Sequence, residues 1–258
     1  MQTADFAARS VPPLGGFNLT FLYLEARRLL RNRRTVILSV VMPLVLFFLF
    51  QSGKRAPRIL GPDYVATTMI GVAVYGAMLA ATSGGAMVSV ERALGWSRQL
   101  RLTPLRPAAY IGIKVIVAML LGLVSVAVVF VAGALDGVHL SIATWLLSAL
   151  LAWVTALVFA AFGLFMGYLL PTENVMQIIG PILAVFAFFG GLFVPLSVLP
   201  SAIQDVGPYM PTYGVAEIAR YPLLGGAFDA GWVVNVVVWT AIFAVGAMVL
   251  FRRDTRRV

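Results

Sequence analysis

Residues 65–88 read VATTMIGVAVYGAMLAATSGGAMV, and residues 91–104, just beyond them, read ERALGWSRQLRLTP. The first stretch has no charged side chain, and as a helix it would extend about 36 Å, enough to cross a hydrocarbon core of about 30 Å. The second places Glu91, Arg92, Arg98 and Arg101 in a short segment that ends at Thr103-Pro104, where proline disfavours helix in the residue before it. An apolar helix that gives way at once to a basic elbow belongs in a bilayer, with the elbow in water. The same alternation predicts six crossings, over 35–52, 65–88, 108–135, 143–170, 177–195 and 232–251. The expected fold is therefore an all-α integral membrane protein of six transmembrane helices, one domain over 1–258.

Composition agrees with that reading. With 61% hydrophobic residues, 11% charged residues and a mean hydropathy of +0.96, too little polar surface is left to face water on all sides. The net charge of +9 could suit nucleic acid, but the charges flank the apolar stretches and form no continuous soluble face. Anionic membrane lipids are the better partner, and no nucleic acid is expected. The chain has no cysteine, which excludes disulfides and thiolate sites. Lys54 and Lys114 are the only lysines, a bias towards arginine that suits a bacterial origin.

Orientation follows from the basic residues. Arg9, Arg27, Arg28, Arg31, Arg33 and Arg34 precede the first stretch, Arg92, Arg98, Arg101, Arg106 and Lys114 lie between the second and third, and Arg252, Arg253, Arg256 and Arg257 follow the sixth. That places 15 of the 19 basic residues on one side, against Lys54, Arg55, Arg58 and Arg220 on the other. Both termini are expected in the cytoplasm of a bacterial inner membrane. The first sixteen residues contain Pro12, Pro13, Gly15 and Gly16 and read as a tail, not a signal peptide.

Before the first stretch, Leu22, Tyr23, Ala26, Leu29 and Leu30 share one helix face, and Arg27, Arg28, Arg31 and Arg34 the other. This predicts an amphipathic interfacial helix in the headgroup plane; an ordinary basic flank that only sets topology is the alternative. Asn18-Leu19-Thr20 matches a glycosylation sequon but falls on the cytoplasmic side, so it is set aside. After the fifth stretch, Gly190 and Gly191 permit close packing near an outer gate, and Pro195 and Pro200 stop the helix. The segment from Ser201 to about Gly226 is apolar but interrupted, which predicts an outer re-entrant helical hairpin between spans five and six; a simple outer loop is the alternative.

Two motifs carry a resemblance. Glu91-Arg92-x-x-Gly95, followed by Arg98-Gln99-Leu100-x-x-Thr103-Pro104 and by Lys114, resembles the coupling-helix region of ABC-2 type transporter permeases, closest to the daunorubicin-resistance-like drug exporters. Gly191-x-x-x-Pro195-x-x-x-x-Pro200, then Pro211-Thr212-Tyr213 and Glu217-Ile218-Ala219-Arg220, is similar to that family's block after the fifth span. The resemblance implies that Glu91, Arg92, Gly95, Trp96, Arg98, Leu100, Arg101 and Pro104 transmit the movement of a separate ABC ATPase. It also implies two such ATPase subunits and a homodimer of this chain that alternates between inward-facing and outward-facing states.

No Gly-x-x-x-x-Gly-Lys-[Ser/Thr] occurs, so ATP must be hydrolysed elsewhere. The chain is expected to be no enzyme and to hold no cofactor; Mg-ATP belongs in the partner subunit. His139 beside Asp136 supplies too few ligands for a metal. Two copies are expected to meet along their second and fifth spans. The pathway would then be lined by Phe47, Phe48, Met69, Tyr75, Met78, Phe186, Phe188, Phe189 and Phe193, though any of these could face lipid or pack internally. Uncharged aromatics and methionines adapt to varied apolar shapes. A hydrophobic small-molecule drug or antibiotic is the expected cargo, with an endogenous lipid, polyketide or peptide as the alternative. A non-transporting membrane scaffold or sensor is the reading from another class.

Overall fold

The computed structural model describes residues 17–51, 63–95 and 107–256. All regular elements among them are helical. In chain order they are α1 (Leu19–Arg31), α2 (Arg33–Val36), a π-helical turn (Ile37–Val41), α3 (Met42–Gln51), α4 (Tyr64–Ala93), α5 (Pro107–Leu135), α6 (Ile142–Thr155), α7 (Leu157–Leu169), α8 (Thr172–Phe189), α9 (Ser201–Val206), α10 (Tyr213–Leu224) and α11 (Ala230–Arg256). Among the described residues, four stretches are long and apolar enough to cross a bilayer: Tyr64–Ala93, Ala109–Leu135, Ile142–Leu169 and Ala230–Arg253. These match the second, third, fourth and sixth expected spans. The first and fifth correspond to shorter apolar helices, Ser39–Phe50 and Gln177–Phe189.

The fifth helix ends earlier than expected for a local reason. Gly191 takes φ of +72°, its N–H donates to Phe188 O at 3.2 Å, and the Leu192 N–H reaches back to Ala187 O at 2.9 Å. That is a Schellman termination with glycine in the left-handed position, so the backbone has turned while Leu192, Phe193 and Val194 keep the hydropathy high. The fourth span is interrupted at Ala156, between α6 and α7.

α4 is the hub of the bundle and is mostly buried, with α5, α7, α10, α3, α8 and α6 around it. Its small residues allow this approach. A Cβ on Gly84 would lie 2.3 Å from Ala118 Cβ, and one on Gly85 would lie 2.6 Å from Ala160 O. From the facing helix, a Cβ on Gly163 would lie 2.2 Å from Thr82 O. Helices in lipid associate by such close packing because there is little hydrophobic gain between apolar surfaces there.

The first membrane helix is interrupted where proline dictates. Pro43 has no N–H to offer Ser39 O one turn earlier, and the chain widens into the π-helical turn Ile37–Val41 just before it. The Ser125 hydroxyl of α5 donates to Ser39 O at 2.5 Å and takes the place of the missing donor. Ser125→Ala should therefore leave a buried carbonyl unpaired and cost about 1 kcal/mol. A thermal melt of the purified variant in detergent checks this, and an unchanged midpoint would refute it.

α1 packs against α4 and α5 through Phe21, Leu22, Ala26 and Leu29, facing Ala80, Ile113, Val117 and Leu121. Tyr23 and Leu30, expected on that same face, are 63% and 55% exposed and point away from the bundle. Asn18, the discarded sequon residue, caps α1 by accepting a hydrogen bond from Thr20 N at 2.7 Å.

Candidate functional site

The lower end of α4 is a joint between helices. Glu91 is only 3% exposed. Lys114 Nζ of α5 donates to Glu91 Oε1 and Glu25 Oε2, each at 2.5 Å, and Arg28 Nη1 of α1 donates to Glu91 Oε1 at 3.0 Å. The Tyr110 hydroxyl donates to Glu91 Oε2. One carboxylate thus holds three donors from two other helices, and Lys114, itself 4% exposed, is shared by two carboxylates. Burying a charge is costly unless it is paired and hydrogen-bonded, and here every member is.

The next residue points another way. Arg92 Nη1 donates to Gly167 O at 3.0 Å and Tyr168 O at 3.1 Å, and its guanidinium lies 5.5 Å from the Tyr168 ring centre. A cation at the final carbonyls of α7 also complements the negative end of that helix. The Thr172 hydroxyl at the start of α8 donates to Ser89 O at 2.8 Å. Within four residues α4 is tied to α1, α5, α7 and α8. It then stops at Gly95, whose φ of +71° makes the bend expected there. Trp96, Arg98, Leu100, Arg101 and Pro104 lie outside the described residues.

Glu91 and Arg92 therefore sit inside the joint and do not form an outer docking surface. A displacement of the following loop would pull on several helices at once through them. Glu25 and Tyr110 were not singled out by sequence, and Arg28 was read only as part of the basic face of α1. The usable signal was Lys114, the eighth residue of an otherwise uncharged helix, which demands a buried counter-charge.

At the other end of the bundle Arg220 of α10, 2% exposed, donates from Nη1 to Gly191 O at 2.9 Å and from Nη2 to Leu192 O at 2.6 Å. It serves the carbonyls released where α8 terminates. Its partner Glu217 stands 3.7 Å from Nη1; burial pushes the Glu217 carboxyl above the usual carboxylate range, and Arg220 opposes that shift. Gly190 is packed so tightly that an added Cβ would fall 1.9 Å from Thr212 Oγ1, whose hydroxyl donates to Phe186 O. Asn235 of α11 fastens the short-helix pair, donating from Nδ2 to Pro208 O at 3.0 Å and Met210 O at 3.1 Å. Pro195 and Pro200 flank the 3-10 turn that leads into α9.

The aromatic and methionine set divides. Phe47, Met69 and Met78 are wholly enclosed in the chain's own core and reach no surface. Tyr75 and Phe193 meet with ring centres 5.1 Å apart, and Phe50 joins them at 5.4 Å from Phe193. Phe186 packs on Phe162, Phe188 sits beside Phe189, and Phe48 and Phe188 are half exposed. Because α4 is largely enclosed by its own chain, α8 keeps a more open face than α4 does.

Residues 19–224 match the sequence profile of the ABC-2 type transporter family. The chain belongs to that family. It is also 29% identical over 209 residues to "Putative transport permease YvfS" of Bacillus subtilis (strain 168), an alignment covering 79% of this chain and 84% of the relative. This ABC-2 permease is therefore a multi-pass membrane component of a transporter. Membership implies an ABC ATPase partner in general terms.

Proposed function

We propose that this chain is the permease subunit of an ABC exporter that moves hydrophobic or amphipathic compounds, drug or antibiotic, out of the cell. Two copies form a homodimer in the bacterial inner membrane, each crossing six times with both termini in the cytoplasm and with the α9–α10 pair re-entering from the outside. Two copies of a separate ATPase bind Mg-ATP and press on the loop that follows Gly95. Closure of the ATPases rocks the halves between inward-facing and outward-facing arrangements.

The observation that carries this reading is the joint around Glu91, because a loop pinned at its root to four helices can turn local displacement into movement of a bundle. Of the candidate lining, Phe48, Tyr75, Phe186, Phe188, Phe189 and Phe193 are the residues that retain accessible surface, and all are uncharged. They suit an apolar cargo passing between two copies.

The test is reconstitution of the chain with its ATPase in proteoliposomes and a panel of hydrophobic dyes and drugs. Cargo-stimulated ATP hydrolysis together with outward movement of at least one compound is expected. A pair that hydrolyses ATP without stimulation, and moves nothing, would overturn export in favour of a scaffold.

A further inference from the structure

A cleft of about 550 Å³ opens between α1, α4 and α5 beside the Glu91 joint. Four cations line it: Arg27, Arg28, Arg31 and Lys114. Two of these are already engaged, since Lys114 is shared by Glu25 and Glu91 and Arg28 reaches Glu91. Among the described residues neither Arg27 nor Arg31 meets a carboxylate, and both side chains are exposed. Spaced four apart on α1, they stand one above the other on the same face. The rim of the cleft therefore keeps uncompensated positive charge presented by two guanidinium forks, the side chain best matched to phosphate oxygens.

The remaining wall has the opposite character. Leu24 and Leu29 of α1, Met87 of α4 and Val117 of α5 line the same cleft. Tyr23 and Leu30 continue the apolar surface of α1 outward from the bundle. A free phosphate would use the arginines and leave the apolar wall idle. A lipid uses both, with its headgroup on Arg27 and Arg31 and its first methylenes against Leu24 and Val117. The helix lies where basic, amphipathic segments meet anionic headgroups.

We propose that this cleft is a binding site for the headgroup of an anionic phospholipid of the leaflet adjoining the basic loops. The site rests on the membrane placement of the chain and not on the identity of the exported cargo. A headgroup held there stands one side chain away from the Lys114–Glu91 pair, so its occupancy holds α1 against the root of the coupling loop.

The experiment is native mass spectrometry of the full chain released from nanodiscs containing equal parts phosphatidylcholine and phosphatidylglycerol. The wild-type chain should retain phosphatidylglycerol in preference to phosphatidylcholine, and R27Q/R31Q should retain at least about ten-fold less of it. R27K/R31K, which keeps the charge, should retain most of it, and R252Q/R253Q at the far end of α11 should match wild type. A thermal melt confirms that each variant is folded; should R27Q/R31Q fail to fold, the single variant R31Q takes its place. Equal retention of the two lipids, undiminished phosphatidylglycerol in R27Q/R31Q, or the same loss in R252Q/R253Q would overturn the site. Displacement by millimolar inorganic phosphate would assign it to a free phosphate anion and overturn the lipid.

Discussion

Glu91→Ala should leave the chain inserted in the membrane while cargo-stimulated ATP hydrolysis by the partner falls at least about ten-fold, the effect of losing roughly 1.4 kcal/mol in the moving state. The substitution removes the acceptor that Lys114, Arg28 and Tyr110 share, so α4 loses its grip on α1 and α5 at the root of the loop. Insertion survives because Lys114 still has Glu25. The converse change should be harsher. Lys114→Met leaves Glu25 and Glu91, both largely buried, without the ammonium they share, and breaking a buried ion pair by removing one partner costs about 3–5 kcal/mol. Membrane fractionation, thermal melts and ATPase assays on the two variants separate transmission from folding. Wild-type efflux by Glu91→Ala would end the coupling assignment, and a wild-type melt for Lys114→Met would end the account of the joint.

Arg220→Met should destabilise the outer end of the bundle by about 3–5 kcal/mol. It strips the Gly191 and Leu192 carbonyls of their donors and leaves Glu217 without its counter-charge. The carbonyls cannot turn to water, because they sit behind α10 against the start of α4: a Cβ on Gly71 would lie 1.8 Å from Leu192 O. Arg220→Lys should recover little, since a single ammonium cannot span two carbonyls as the planar fork does. Size-exclusion profiles after heating provide the measurement. Matching profiles for Arg220→Met and wild type would show that α8 terminates without this cap.

The helices that the sequence located best were those whose signal was local. Residues 65–88, 108–135, 143–170 and 232–251 fall on helical stretches Tyr64–Ala93, Pro107–Leu135, Ile142–Leu169 and Ala230–Arg256, because length and apolar composition suffice for a crossing. The fifth was carried six residues too far because hydropathy follows side chains, and Leu192-Phe193-Val194 remain apolar after Gly191 has reversed the backbone. Around the site, the loop motif pointed to Glu91 and Arg92, but their partners Arg28, Gly167 and Tyr168 are remote in sequence, and no periodicity connects them. Arg220 was read as an outer-side charge and as part of the block after the fifth span, while its environment makes it a helix cap. The lining residues were least legible of all. In a bilayer, core, lipid face and pathway draw on the same apolar side chains, and only the packed structure separates Met69 and Met78 from Phe48 and Phe188.

The glycines of α4 carry a mechanical implication. A rod whose backbone rests directly on its neighbours has no slack in which to slide or roll, because any shift of an ångström would drive main-chain atoms into one another at Gly84, Gly85 and Gly163. Strain delivered at the Glu91 end therefore cannot be absorbed inside the subunit. It must emerge as tilting of the entire chassis, and the place to seek flexing is the Pro43 elbow of the first helix, where the rungs are already widened.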